Sequence, residues 1–215
     1  MDEFRDPTSV GKVARGALIC WLVASAIYCG GAVFSIVGIT AYQNGSSSPL
    51  ADLETVDLVS IVTSGIYLVA ELVCVVVIGR WIYRVNKNAW QISDAMTVSP
   101  GWSVGFFFIP ILNLFRPFAG LRETWQVSHA PADAQDVPVP AIMRLWWAGW
   151  LILGVFGQLS FRLSLRAETL EDLLEVAWVD IVATPFDFIT GLALLWIVRR
   201  LTETQSHLRD HTVFE

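Results

Sequence analysis

Residues 99–118 read Ser99-Pro-Gly-Trp-Ser-Val-Gly-Phe-Phe-Phe-Ile-Pro-Ile-Leu-Asn-Leu-Phe-Arg-Pro-Phe118, and the reading of this stretch decides the fold. Its apolar core, Val104 to Phe115, is about a dozen residues, too short to cross a bilayer as a helix rising 1.5 Å per residue. Pro110 interrupts it and Arg116-Pro117 ends it. A crossing here would also invert everything downstream and place Arg199, Arg200 and Arg209 on the side that such residues avoid. The stretch therefore reads as a re-entrant or in-plane helical element that returns to the side it left.

Outward from it, four apolar segments are long enough to span: about 16–42, 56–83, 143–161 and 176–198. The first is too long for the apolar part of a signal peptide and reads as an uncleaved anchor. All 14 Lys and Arg except Arg162 and Arg166 fall on one side if the termini share it. By the positive-inside rule that side is the cytoplasm. The chain of 215 residues is 54% hydrophobic and only 16% charged, with net charge −6. An ordinary soluble domain, a disordered chain and a nucleic-acid binder are all excluded. The expectation is an all-α membrane protein, a single polytopic domain over 1–215. It has four transmembrane helices, cytoplasmic termini and a cytoplasmic cap over about 84–142. Within that cap, Asn86 to Ser99 reads as a polar stretch, Ala119 to Val127 as a short amphipathic helix and His129 to Pro140 as a solvated linker.

The cap carries an ordered motif. It runs Trp81-x-Tyr83-Arg84-x-x-x-Asn88, then Ser99-Pro100-Gly101-Trp102-x-x-Gly105 and Pro110-x-x-Asn113-x-x-Arg116-Pro117. It closes with Arg122-Glu123-x-Trp125 and Trp146-Trp147. This pattern resembles the DUF4328 family of bacterial integral membrane proteins, closely over about 80–150 and loosely in the flanking spans. The resemblance implies a bacterial plasma-membrane protein and no activity. Physically, Pro100-Gly101 suits a turn, Gly105 a close backbone approach, and Asn113 a carbonyl freed by Pro110. Arg116 is expected to snorkel to phosphates or pair with an acid. Arg122-Glu123 is expected to join an ion-pair set with Arg80 or Arg84. Of the 10 tryptophans only Trp178 lies toward the outer side. That bias fits either membrane anchoring or a groove for a lipid tail or partner helix.

Charges inside the spans form the second group of candidates: Glu71, Asp180, Asp187, Gln158 and Arg162. An intramembrane acid is costly and needs a partner. Arg162 is expected to pair with Asp180, and Glu71 to approach Asp187, with a proton, a cation or Arg116 between them. The alternative is packing glue, a neutral acid bonded to Ser60, Thr63, Ser64, Thr184 or Thr190. Pro185 is expected to loosen the last helix beside Asp187. Ala24, Gly31, Ser35 and Gly38 form a small-residue face for close packing, within the bundle or across a homodimer.

Catalytic, metal and cofactor signatures are not expected. His207-x-x-x-His211 lacks further ligands, and His129 is distant in sequence. Cys20, Cys29 and Cys74 read as small hydrophobes, and no phosphate-binding or nucleophile motif is present. The functional expectation is a non-enzymatic binding or regulatory membrane module. Its cap contacts membrane lipid, another membrane protein or a second copy. A small proton- or cation-coupled transporter or channel using Glu71 and Asp187 is the alternative.

Overall fold

The structure, a computed structural model, describes residues 4–212, with backbone alone beyond Leu208. The Arg209 and His211 side chains thus lie outside the described residues. Six α-helices follow in order: α1 (Thr8–Gln43), α2 (Leu53–Ile92), α3 (Pro100–Gly105), α4 (Arg116–His129), α5 (Ala141–Ser164) and α6 (Leu170–Thr212). Of these, α1, α2, α5 and α6 are long and apolar enough to cross a membrane. The chain is an all-helical, multi-pass membrane protein with four candidate spans.

The helices outrun the apolar segments that announce them. Helix α2 continues past Tyr83 to Ile92, so half of the stretch expected as polar loop is helical. Two asparagines, poor helix formers, are carried there by tertiary bonds rather than by propensity. Helix α6 starts at Leu170 rather than near 176. A capping box explains this: the Glu168 and Thr169 amides donate to Asp172 Oδ2 at 3.0 and 2.9 Å, and the Asp172 amide donates back to Thr169 Oγ1 at 3.2 Å. Helix α1 begins where the Thr8 amide and hydroxyl donate to Asp6 Oδ1 at 2.8 and 2.6 Å. It ends where Gly45, at φ 68°, lets the Ser46 amide reach back to the Ala41 carbonyl at 3.0 Å. Pro185 lies inside α6, which runs through it as continuous helix.

The decisive stretch is not one continuous helix. Helix α3 is six residues long, with Pro100 in its first turn. Single 3-10 turns follow at Phe106–Phe108 and Leu112–Leu114. Between them Ile111 sits at φ 71°, the one non-glycine residue with positive φ among those described. No piece of this knuckle has the length of a crossing.

The chain divides into two compact units. The first, here the cap unit, contains residues up to Leu18, Val73–Trp147 and residues from Leu192 onward. The second, the bundle unit, contains Ile19–Leu72 and Ala148–Gly191. In the bundle unit the small-residue face of α1 packs on α2. A Cβ on Gly31 would collide with Thr63, and one on Gly38 with Val56. Ser35 and Ser60 hydroxyls bond at 2.8 Å in the same seam. The face is therefore used within the chain, as close helix packing requires.

Candidate functional site

The bundle unit sets two of its acids, Asp180 and Asp187, among hydroxyl groups. Asp187 is 5% exposed and accepts a bond from Ser25 Oγ at 2.6 Å. Asp180 accepts from Tyr28 Oη at 2.5 Å and from Ser160 Oγ at 2.7 Å. The Tyr67 hydroxyl lies near the Glu71 and Asp187 carboxylates. Tyr28 and Tyr67 stack with ring centroids 5.0 Å apart. Three acids and two tyrosines thus gather within this unit.

This differs from the expected pairing in three respects. Arg162 is exposed and does not hold Asp180, whose hydroxyl partners make a buried guanidinium unnecessary. Gln158 is also exposed; Ser160, two positions on, points to Asp180 instead. Arg116, expected between Glu71 and Asp187, lies over the Phe106 ring at 5.4 Å instead. Among the described residues no group of three or more His, Cys, Asp or Glu is placed to hold a metal ion. Sequence reasoning missed Tyr28, Tyr67 and Ser25. The Tyr67 to Glu71 spacing of one helical turn was the available signal.

The cap unit uses amides in place of acids. Gln205 is fully buried and donates from Nε2 to the Val85 carbonyl at 2.8 Å and to Ser128 Oγ at 2.9 Å. Its Oε1 accepts from Asn88 Nδ2 at 3.0 Å, and Asn88 also holds the Arg5 carbonyl at 2.8 Å. Asn86 Nδ2 donates to Thr124 Oγ1 at 3.0 Å, and Trp81 Nε1 to Thr202 Oγ1 at 3.0 Å. The network ties α2, α4, α6 and the segment before α1 together within this unit. Asn88 and Trp81 come from the sequence motif. Gln205, Thr202, Asn86 and Thr124 were not anticipated, because a polar helix end looks solvated until its partners are known.

The remaining motif residues build the knuckle. Glu123 does not pair with Arg80 or Arg84. It accepts from the Thr97 amide and hydroxyl at 2.9 and 2.6 Å and from the Val98 amide at 3.0 Å, closing the turn that enters the knuckle. Trp90 Nε1 donates to the Val98 carbonyl at 2.7 Å. Gly120 lets α4 approach Val98, whose Cγ1 would be 3.1 Å from an added Cβ. Val104 then lies beside Gly79, 3.4 Å from where a Cβ would be. From Trp90 back to Gly79 is about 16 Å of helix at 1.5 Å per residue. The chain after Val98 therefore runs back along α2 to the level just before Arg80, the first basic residue of that helix.

At the turn, Trp102 stacks on Phe106 at 5.2 Å, and Gly105 admits the Trp102 ring at 3.2 Å. The Asn113 amide, rather than its side chain, answers the loop carbonyl, donating to Ile109 O at 2.9 Å. Pro110 and Gly101 are exposed, and Pro117 is buried at the start of α4. Arg84 is half-buried on α2 and Arg122 exposed on α4. Trp125 stacks between His129 at 4.2 Å and Trp196 at 5.7 Å. Phe108 and Ile111 remain 70% and 71% exposed, with Leu114 and Phe115 beside them.

No curated protein and no solved structure matches this chain. A family model does: the one described as "Domain of unknown function (DUF4328)" matches residues 45–203, from the loop after α1 to late α6. The match takes in the whole knuckle and Glu71, Asp180 and Asp187, and on it the chain belongs to the DUF4328 family.

Proposed function

We propose that this chain is a non-catalytic membrane module that binds lipid through the knuckle Trp102–Phe115. It sits in a bacterial plasma membrane with the cap and both termini in the cytoplasm. The carrying observation is the path of the chain. Val98 is fixed at Trp90, Val104 lies back at Gly79, and Phe108, Ile111, Leu114 and Phe115 stay exposed. An apolar tip at the level where the apolar run of α2 meets Arg80 matches the acyl–headgroup boundary of a leaflet. Trp102, 53% exposed, is an interfacial side chain in the same place.

The test is a depth measurement. In a background with Cys20, Cys29 and Cys74 replaced by Ser, an environment-sensitive fluorophore is placed at Ile111→Cys or at Gln135→Cys. Lipids brominated on their acyl chains should quench the first strongly and the second weakly. Equal, weak quenching at both positions would refute insertion of the knuckle.

One observation favours a second reading, a proton-coupled transporter. Glu71 and Asp187 lie near the same tyrosine hydroxyl, and two acids so placed in an apolar unit can hold or pass a proton. In liposomes, Glu71→Gln and Asp187→Asn should then abolish a proton flux that the native chain supports. A native chain that carries no flux removes this reading.

A further inference from the structure

We infer that the knuckle carries a binding site for an anionic phospholipid of the surrounding bilayer, with Arg116 and Arg80 holding its phosphate and the apolar tip covering its acyl chains. The inference rests on the lipid-binding reading above and adds the headgroup chemistry.

Two parts of the cap bring guanidinium groups to the base of the tip. Arg116 is exposed, and its guanidinium is held over the Phe106 ring at 5.4 Å. A cation on an aromatic face keeps its N–H donors free at the edge, ready for a planar, bidentate contact with phosphate oxygens. Phe106 follows closely on Val104, and Val104 touches Gly79, the neighbour of exposed Arg80. Arg84 lies one turn further along α2 on the same stripe. Glu123, the acid beside Arg122, is bonded to Thr97 and Val98 rather than to Arg80 or Arg116.

The position of Arg116 adds to this. It is the first residue of α4, whose first turn has no acidic side chain and whose cap residue, Phe115, offers no side-chain bond. A positive side chain at the positive end of a helix is electrostatically unfavourable, and a bound anion reverses the sign of that term. Around these cations Phe108, Ile111, Leu114 and Phe115 expose continuous apolar surface. A soluble anion has no use for that surface, whereas a phospholipid presents both an anionic head and hydrocarbon to it.

The experiment uses the full chain in a non-ionic detergent, titrated with short-chain dioctanoyl phosphatidylglycerol, dioctanoyl phosphatidylcholine or inorganic phosphate, with binding read by tryptophan fluorescence. Phosphatidylglycerol should bind at least 10-fold more tightly than phosphatidylcholine. The double variant Arg80→Gln/Arg116→Gln should bring the two lipids to equal affinity, and Phe106→Leu, which keeps both charges but removes the support under Arg116, should lose part of the preference. Equal affinity of the native chain for the two lipids overturns the inference, as does a preference that survives the double variant. Inorganic phosphate that displaces the lipid at comparable concentration also overturns it, in favour of a soluble-anion site. Strong quenching at position 111 without headgroup preference would leave knuckle insertion standing and remove only the anionic site.

Discussion

In the cap unit the buried polar groups are amides and hydroxyls: Gln205, Asn88, Asn86, Ser128 and Thr124. In the bundle unit they are carboxylates facing hydroxyls: Asp187 with Ser25, Asp180 with Tyr28 and Ser160. An amide carries donors and acceptors at fixed positions and never ionises, so the network around Gln205 offers the same donors and acceptors at every pH. A carboxylate among hydroxyls has two protonation states with different bonding demands. The first unit is built to be one thing, and the second has a degree of freedom that the first lacks.

The sharpest way to break the comparison is Gln205→Leu. It leaves the Asn88 amide and Ser128 hydroxyl buried without their partner and frees the Val85 carbonyl. The expected loss is about 3–5 kcal/mol, read as reduced resistance to denaturant in detergent. Asp187→Leu should cost less, about 2–3 kcal/mol, because Ser25 and Tyr67 lose an acceptor in a less densely linked site. Asp187→Asn should cost under about 1 kcal/mol, since the amide oxygen still accepts from Ser25. An asparagine that is as damaging as leucine would mean that the charge, not the acceptor, is what the unit needs. Tyr67→Phe comes next, at about 1 kcal/mol, with the stack on Tyr28 preserved.

The smallest effect lies in the loop before α2. The Thr55 hydroxyl donates to Asp52 Oδ2 at 2.5 Å and holds that carboxyl below its ordinary value. Because the folded value is the lower one, the stabilisation is complete above the ordinary carboxylate range and is lost as pH falls through the folded value. Asp52 is fully exposed, so water screens most of it. Asp52→Asn should slightly flatten the fall in melting temperature between pH 5 and pH 3 without changing the value near pH 7.

Much of this was readable in the sequence, for definite reasons. Spans are legible because lipid imposes a length of apolar residues on any helix that crosses it. The brevity and prolines of 104–118 likewise reported a segment without a helix long enough to cross. The acids at 71, 180 and 187 stood out because a charge in such a run is costly. Their partners did not, since a serine or tyrosine in an apolar helix carries no mark of which acid it faces. The extension of α2 to Ile92 was hidden for a related reason: Asn86 and Asn88 read as loop residues locally, and only Thr124, Gln205 and the Arg5 carbonyl make them helical. The Arg162–Asp180 pair failed because opposite charge was weighed above the nearer hydroxyls of Tyr28 and Ser160.

The left-handed backbone at Ile111 has a consequence for biogenesis. A β-branched residue in that conformation costs roughly 1–3 kcal/mol, which only the finished surroundings can offset. Those surroundings include α4, translated after the tip itself. During synthesis the phenylalanines on either side thus emerge before anything can fix their direction, and the nascent chain must shelter them in the insertion machinery or in the leaflet until α4 docks. Ile111→Gly would remove that waiting period and let the tip form early, but it would also release the rigid aim that the docked helix provides.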